Sequence, residues 1–340
     1  MSRLLCLVPL VFFSPLPLFS NFILPDFFAG FLPLLSALVF VNLGGQDRIV
    51  SLIFWVLAVM VHYSNLLLGV VSGLIVVFAK SFDTKRRKLI LVLMLVVPWL
   101  LTPIVHYGLS QKFTVTDAAQ IYLYSRLSSH RISHKFLDEN CLKKNYALCA
   151  DRDKWLGMWK WGLNTQIYKF GGLRNMAPAI AEVNRDIVFS AHLFSFLMKS
   201  AENVLVQLSN FFRPITPTLN DSSLSSELRL YSREVERKYK SHRLVSNWVY
   251  KNYKVLSWVY FFSTALSLMF LSFMSLSKRL SPRIQLVFYC SVGLYIANAI
   301  ICGSLTEPSD RYSARMVWVF LWLAVLQIAA IQESEQKRLL

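Results

Sequence analysis

The chain has 340 residues, of which 55 % are apolar and only 16 % charged, against about 25 % charged in soluble domains. Lys and Arg outnumber Asp and Glu by 36 to 19, a net charge of +17. These numbers exclude intrinsic disorder, which needs few apolar residues and many charges. They also exclude an ordinary soluble domain, because several stretches of about twenty residues carry almost no charge. The pattern predicts an all-α, polytopic transmembrane helix bundle of about seven to eight spans. A mainly helical extracytoplasmic domain is expected beside it.

Leu4–Leu24 opens the chain as an apolar run containing Pro9, Pro15 and Pro17, which predicts a kinked or partly re-entrant segment. No cleavage site of small residues precedes Pro25, so no cleavable signal peptide is read. Phe27–Leu43 follows, with Pro33 inside it. Ile49–Ala79 is uncharged throughout. A straight helix over it would be about 46 Å long, against a hydrocarbon core of about 30 Å. It is therefore either one strongly tilted helix or two short ones broken near His62-Tyr63-Ser64-Asn65. The clearest spans are Leu89–Tyr107, Leu256–Leu276, Ile284–Cys302 and Met316–Ile331.

Basic loops set the orientation. Lys80–Lys88 carries five cations and one Asp and is expected in the cytoplasm. Leu89–Tyr107 then exits, and residues 108–254 lie outside. Leu256–Leu276 returns to Lys278, Arg279 and Arg283 inside. Ile284–Cys302 exits, the loop Gly303–Arg315 faces out, and the last span leaves Lys337 and Arg338 in the cytoplasm. In the first half, a double crossing by Ile49–Ala79 puts Pro25-Asp26 outside, and a single crossing reverses it. Arg3 favours the double crossing. Three regions result: residues 1–107 and 255–340 in the membrane, and 108–254 as the extracytoplasmic helical domain. The expected location is a bacterial cytoplasmic membrane, crossed many times.

The outer segment carries nearly twice as many basic as acidic residues. A helix is expected to open at Thr116–Gln120. Ile187–Phe212 is amphipathic, with Leu193, Phe196, Leu197, Val204 and Leu208 near helical spacing. It packs either on its own domain or in the bilayer interface. Arg229–Arg243 reads as a charged helix leading to lipid phosphates. Asp153–Trp161 interleaves Trp155, Trp159 and Trp161 with Lys154 and Lys160, a composition that rests on headgroups or stacks sugars. Its location makes nucleic acid an unsuitable partner. Cys141 and Cys149 either close a small disulfide loop, in an oxidising compartment, or remain free thiols. Cys6, Cys290 and Cys302 read as inert packing residues. His130 and His134 stand four apart, but without a second ligand pair they do not predict a metal site.

Two stretches carry unusual polar residues. Asp26, between two apolar segments, is a functional candidate or a helix N-cap. Arg311 and Arg315 share a helical face at the outer mouth of the last span. Paired guanidinium groups there suit a phosphate or diphosphate, or anchor the helix to headgroups and acidic neighbours. His62, inside an apolar run, either lines a cavity or is a hydrogen-bonded packing residue.

The order of a Pro-Asp loop, a His-Tyr-Ser-Asn break, an outer segment with paired cysteines, and Asp310-Arg311-Tyr312 followed by Arg315 before a Trp-rich span resembles a group of bacterial multi-spanning proteins. Those resemble the GT-C class of membrane glycosyltransferases, which take sugars from polyprenyl-phosphate carriers at the outer face. The resemblance implies a sugar donor of that kind and membrane lipids as partners. It implies Asp26 as general base, or as the carboxylate holding a divalent metal ion. Arg311 and Arg315 would hold the leaving phosphate. The class places a catalytic acidic residue in its first outer loop, ahead of more spans than are counted here, so Asp26 stands as that element or as a second acidic one. The competing expectation is a non-catalytic scaffold or lipid-binding subunit of a cell-envelope assembly.

Overall fold

The computed structural model describes residues 25–40, 45–78, 85–116, 119–149, 173–212, 252–306 and 308–339. The proline-rich Leu4–Leu24 segment, Cys6, the Trp155–Trp161 stretch and Arg229–Arg243 lie outside the described residues. Among the described residues the regular structure is helical throughout. A 3-10 helix, Pro25–Phe31, leads into α1 (Leu32–Phe40), followed by α2 (Gly45–Met60), α3 (Tyr63–Phe78) and α4 (Lys85–Ser110). Then come α5 (Ala119–Ser129), α6 (Ile132–Asn140), α7 (Leu173–Val188) and α8 (His192–Ser209), which ends in a 3-10 turn, Asn210–Phe212. Three long helices follow: α9 (Tyr253–Leu276), α10 (Pro282–Leu305) and α11 (Asp310–Leu339).

Four helices are long and apolar enough to cross a bilayer: Leu89–Leu109, Val255–Leu276, Pro282–Leu305 and Tyr312–Gln336. The chain is a membrane protein on that ground. Only 28 % of the α4 and α9 windows is buried, against 56 % for α10 and α11, so α10 and α11 form the centre and the other two the flanks. The flanking helices turn apolar stripes outward, Val92, Val96 and Trp99 on α4 and Trp258, Phe262 and Leu266 on α9.

The long uncharged stretch is two helices. Asn65 closes the break by donating from Nδ2 to the Ala58 carbonyl (2.9 Å), occupying an orphan acceptor at the end of α2. The Ser64 backbone N–H donates to His62 Nδ1 (3.2 Å). Each arm has 16 residues, about 24 Å of helix. Trp55 Nε1 donates to Ser36 Oγ (2.9 Å) and fixes α1 antiparallel to α2. That register brings the Pro25–Phe31 helix to the Met60 end of α2.

The final hairpin differs from the sequence expectation. α10 runs to Leu305 and α11 begins at Asp310, so most of Gly303–Arg315 is helix. Among the described side chains there, Thr306, Ser313 and Arg315 are buried. At the opposite end of the hairpin, buried Gln327 of α11 holds the α9–α10 turn, donating to the Arg279 carbonyl (3.2 Å) and accepting from the Ser281 backbone N–H (3.4 Å).

A second hydrophobic cluster joins α5, α6 and α7 through Ile121, Tyr124, Leu127, Phe136, Ile180 and Val183. Cys141 and Cys149 form a disulfide with Cα atoms 5.9 Å apart. The loop they close docks on α7, where Asp186 accepts from Lys144 Nζ (2.8 Å) and the Tyr146 hydroxyl (2.9 Å). Glu182 takes a second ion pair from Lys144 (2.7 Å). Burial pushes the Tyr124 phenol up to about 12.

Ile187–Phe212 is not one continuous helix, because the chain breaks between Val188 and His192. α8 packs along α10 rather than on its own cluster alone. A methyl group on Gly303 would lie 2.8 Å from both Cα and N of Val204. The Tyr295 hydroxyl reaches the Leu208 carbonyl (3.3 Å). The other face of α8 leaves Phe194, Leu197, Met198 and Leu205 exposed.

Two predictions follow from these contacts. Ala is a better helix former than Gly by about 1 kcal/mol, yet Gly303→Ala is expected to lose about 1–3 kcal/mol through overpacking against the α8 backbone. A raised thermal midpoint in detergent would show that α8 does not sit against Gly303. The hydrogen bond from Lys144, followed by those from Arg185 and Tyr146, holds the Asp186 carboxyl down to about 2. A depressed folded value means that the loop's docking energy is fully present above pH about 4, near the unfolded value. It is lost as pH falls through about 2. Reduction of Cys141–Cys149 by an acid-active phosphine should accelerate across that window, and Asp186→Asn should flatten the profile.

Candidate functional site

α11 opens with Asp310-Arg311-Tyr312-Ser313-Ala314-Arg315, so Arg311 and Arg315 stand one turn apart on a helix. Arg315 is 1 % exposed. Removing a guanidinium from water costs several kcal/mol unless hydrogen bonds replace the lost solvent. Here Arg315 Nη2 donates to Asn298 Oδ1 and to Cys302 Sγ, the latter at 3.3 Å. Its Cζ lies 5.1 Å from the centre of the Tyr312 ring. Asn298 Nδ2 donates in turn to the Tyr312 carbonyl (2.7 Å), so this amide serves the arginine and the α11 backbone together.

The polar layer continues into α8. Buried Gln207 accepts from the Ser309 backbone N–H (2.8 Å) and donates to Ser313 Oγ (2.8 Å). The Tyr295 hydroxyl lies 3.3 Å from Ser313 Oγ. Thr306 Oγ1 donates to the Cys302 carbonyl (2.7 Å) and finishes α10. Side chains from α8, α10 and α11 thus form one buried hydrogen-bonded layer at one end of the bundle.

The Pro25–Phe31 helix is seated on this layer. A methyl group on Gly30 would overlap the Arg315 carbonyl and the Trp318 indole, so only glycine lets the two backbones approach this closely. Trp318 Nε1 donates to the Arg315 carbonyl (2.9 Å), and the Phe31 and Trp318 rings lie 5.2 Å apart. Asp26 sits four residues before Gly30 in the same short helix. The side chains of Asp26 and Arg311 lie outside the description, and both are placed by their backbones alone.

His62 lies at the α2–α3 break, at the same end of α2 as the Pro25–Phe31 helix. Its Nδ1 is 2.7 Å from Ser64 Oγ, its ring stacks on Tyr63 at 4.6 Å, and Tyr63 stacks on Tyr122 of α5 at 5.7 Å. These contacts give His62 a part in forming the break. His130 and His134 are separated by Arg131, which adopts a left-handed φ of 59°, so they do not share a continuous helix. Among the described residues no three His, Cys, Asp or Glu side chains gather as metal ligands. Cys290 is buried. Cys302, read from sequence as inert, belongs to the Arg315 hydrogen-bond layer.

Sequence reasoning missed Asn298 and Gln207. Asn298 is a strong amide inside the apolar run Ile284–Cys302, and a polar residue at such a depth signals a partner. Gln207 carried no comparable signal. No known protein family, no curated protein and no solved structure matches the chain.

The Arg315–Asn298 contact can be isolated by a double-mutant cycle. Asn298→Leu leaves a buried guanidinium short of an acceptor and is expected to destabilise by about 3–5 kcal/mol. Arg315→Met combined with Asn298→Leu replaces both partners with apolar groups and should cost markedly less. Thermal unfolding of the four proteins in detergent provides the test. Additive losses would show that the two side chains do not act as a unit.

Proposed function

We propose that the protein is a membrane-embedded, GT-C-like glycosyltransferase acting on a polyprenyl-phosphate-linked sugar at the outer face of a bacterial cytoplasmic membrane. In this reading the chain crosses the membrane about seven to eight times, the short α2–α3 hairpin being one double crossing. Residues 108–254 are extracytoplasmic. The observation that supports it is the seating of the Pro25–Phe31 helix on α11 between Arg315 and Trp318. A carboxylate-bearing turn and an arginine-bearing helix, far apart in sequence, share one end of the bundle.

The Asp26 carboxylate takes the proton of the acceptor hydroxyl as that oxygen attacks the anomeric carbon. The bond from that carbon to the carrier phosphate breaks, and both of its electrons leave with the phosphate. Arg311, at the start of α11, takes up the developing charge on that phosphate. Arg315 supports it from within the protein as a fixed positive centre.

A second reading, a non-catalytic scaffold or lipid-binding subunit, draws on one observation: Arg315 is closed off from water, with hydrogen bonds to Asn298 and Cys302 and the Tyr312 ring beside it. A group in that state holds helices together whether or not a substrate binds.

Asp26→Asn distinguishes the readings. A glycosyltransferase should lose surface-glycan product by about 100-fold or more at unchanged protein level. A scaffold should keep its product or lose assembly partners instead. Arg311→Lys retains charge without the bidentate fork, and full activity in that variant would count against phosphate recognition by Arg311. Cysteine labelling that put position 26 and position 311 on opposite sides of the membrane would end the one-site proposal.

A further inference from the structure

A groove of about 430 Å³ lies between the α6 start and the exposed face of α8. It belongs neither to the Arg315 layer nor to the disulfide loop. Its polar wall carries His130, Arg131, Lys135 and Lys199, and its apolar wall carries Phe194 and Met198.

The charges there are unevenly compensated. Lys199 pairs with Glu202 (2.7 Å) and His192 with Glu139 (3.0 Å). Arg131 and Lys135 make no ion pair among the described residues and are exposed. Burial, followed by the positive charges of Arg126 and Lys199, depresses the His130 imidazole, so it stays neutral near pH 7 and close to the Asn203 amide (3.2 Å). Arg131 holds a left-handed backbone, a conformation that side chains other than glycine and asparagine seldom adopt. That geometry ends α5 and sets Arg131 at the lip of the groove.

The apolar wall leads out of the groove. Phe194, Leu197, Met198 and Leu205 are exposed along one side of α8, and α8 packs on the spanning helix α10, which itself turns Ile296 and Ile300 outward. Exposed apolar side chains thus lie on α8 beside the groove and on α10, the spanning helix that α8 packs against. Cations in the groove and exposed apolar side chains beside it match an anionic amphiphile rather than a soluble anion.

We infer that the groove between α6 and α8 binds the phosphate of an anionic membrane lipid, held by Arg131 and Lys135, with its acyl chain along Phe194, Met198 and Leu205. This site is separate from the proposed Asp26–Arg311 site and stands or falls without it.

The test uses the full chain reconstituted with equimolar phosphatidylglycerol and phosphatidylcholine, followed by native mass spectrometry of retained lipid. The wild-type protein should retain phosphatidylglycerol preferentially. Arg131→Gly with Lys135→Gln should lower that retention about tenfold. Glycine suits the left-handed position, so the variant should unfold no lower than the wild type. Lys135→Gln alone, at an exposed site, should give a smaller loss in the same direction. Phe194→Ser should weaken retention of the lipid. Lys143→Gln, the same single charge change as Lys135→Gln but on the disulfide loop, should leave retention unaltered. Unchanged retention in the double variant would overturn the site, as would an equal loss in Lys143→Gln, which would mean general charge attraction. Displacement of the lipid by millimolar inorganic phosphate, with no effect of Phe194→Ser, would overturn the lipid assignment in favour of a free-phosphate site.

Discussion

A guanidinium kept from water must find its hydrogen bonds among its neighbours, and that requirement organises one whole end of this bundle. Arg315 donates to the Asn298 carbonyl oxygen on α10, and the Asn298 amide nitrogen donates in turn to the Tyr312 carbonyl. The arrangement fixes the rotation of α10 against α11. It also leaves the Arg315 carbonyl to the Trp318 indole, which presents a flat surface on which the Pro25–Phe31 helix rests. Buried charge is weak evidence for stability in itself. Its structural effect here is specificity, since a rotated α10 would strand both the amide and the arginine.

α8 connects this end to the second hydrophobic cluster. Its Gln207 serves Ser309 and Ser313, while its start pairs with α6 through His192 and Glu139. Gly303 permits the helices to meet at backbone distance. A larger residue would push α8 outward and take Gln207 from its partners. The seat of α8 on the membrane helices therefore rests on packing and amide hydrogen bonds, which salt does not screen as it does exposed charges.

What the sequence made legible followed the physics with the shortest range. Long uncharged runs identified the four spanning helices, because bilayer thickness acts on composition directly. The break at His62–Asn65 was legible as one of two options, because polar residues in an overlong run must be satisfied locally, and Asn65 does this with Ala58. Cys141 and Cys149 were legible as a pair by their spacing. The α10–α11 connection is shorter than the loop read over Gly303–Arg315, and the helical spacing of Arg311 and Arg315 had marked its second half. Gln207, about a hundred residues earlier, accepts from the Ser309 backbone N–H just before α11. The same distance hid the role of Asn298 and the seat of Gly30, both of which depend on contacts that no local pattern records. For Arg315 the residue type was informative but the environment was not: two arginines a turn apart suggested a surface pair, and burial separates Arg315 from the surface altogether.

The short helices around this end carry a further consequence for the bilayer. α2 and α3 are each about 24 Å long, less than a hydrocarbon core of about 30 Å. In the double crossing we propose, the bilayer thins beside them or the His62 turn lies below the headgroup plane. The 3-10 backbone of Pro25–Phe31 lies at the same end, and non-helical or strained backbone is tolerated at membrane depth only where protein or water covers it. Ala29, Gly30 and Leu32 are buried, so protein covers the inner side of that turn. A short hairpin, a non-α turn and a buried arginine therefore coincide at one corner. In the topology we propose, polar chemistry approaches the membrane interior there at lower cost than along the long flanking helices, whose outward stripes are apolar.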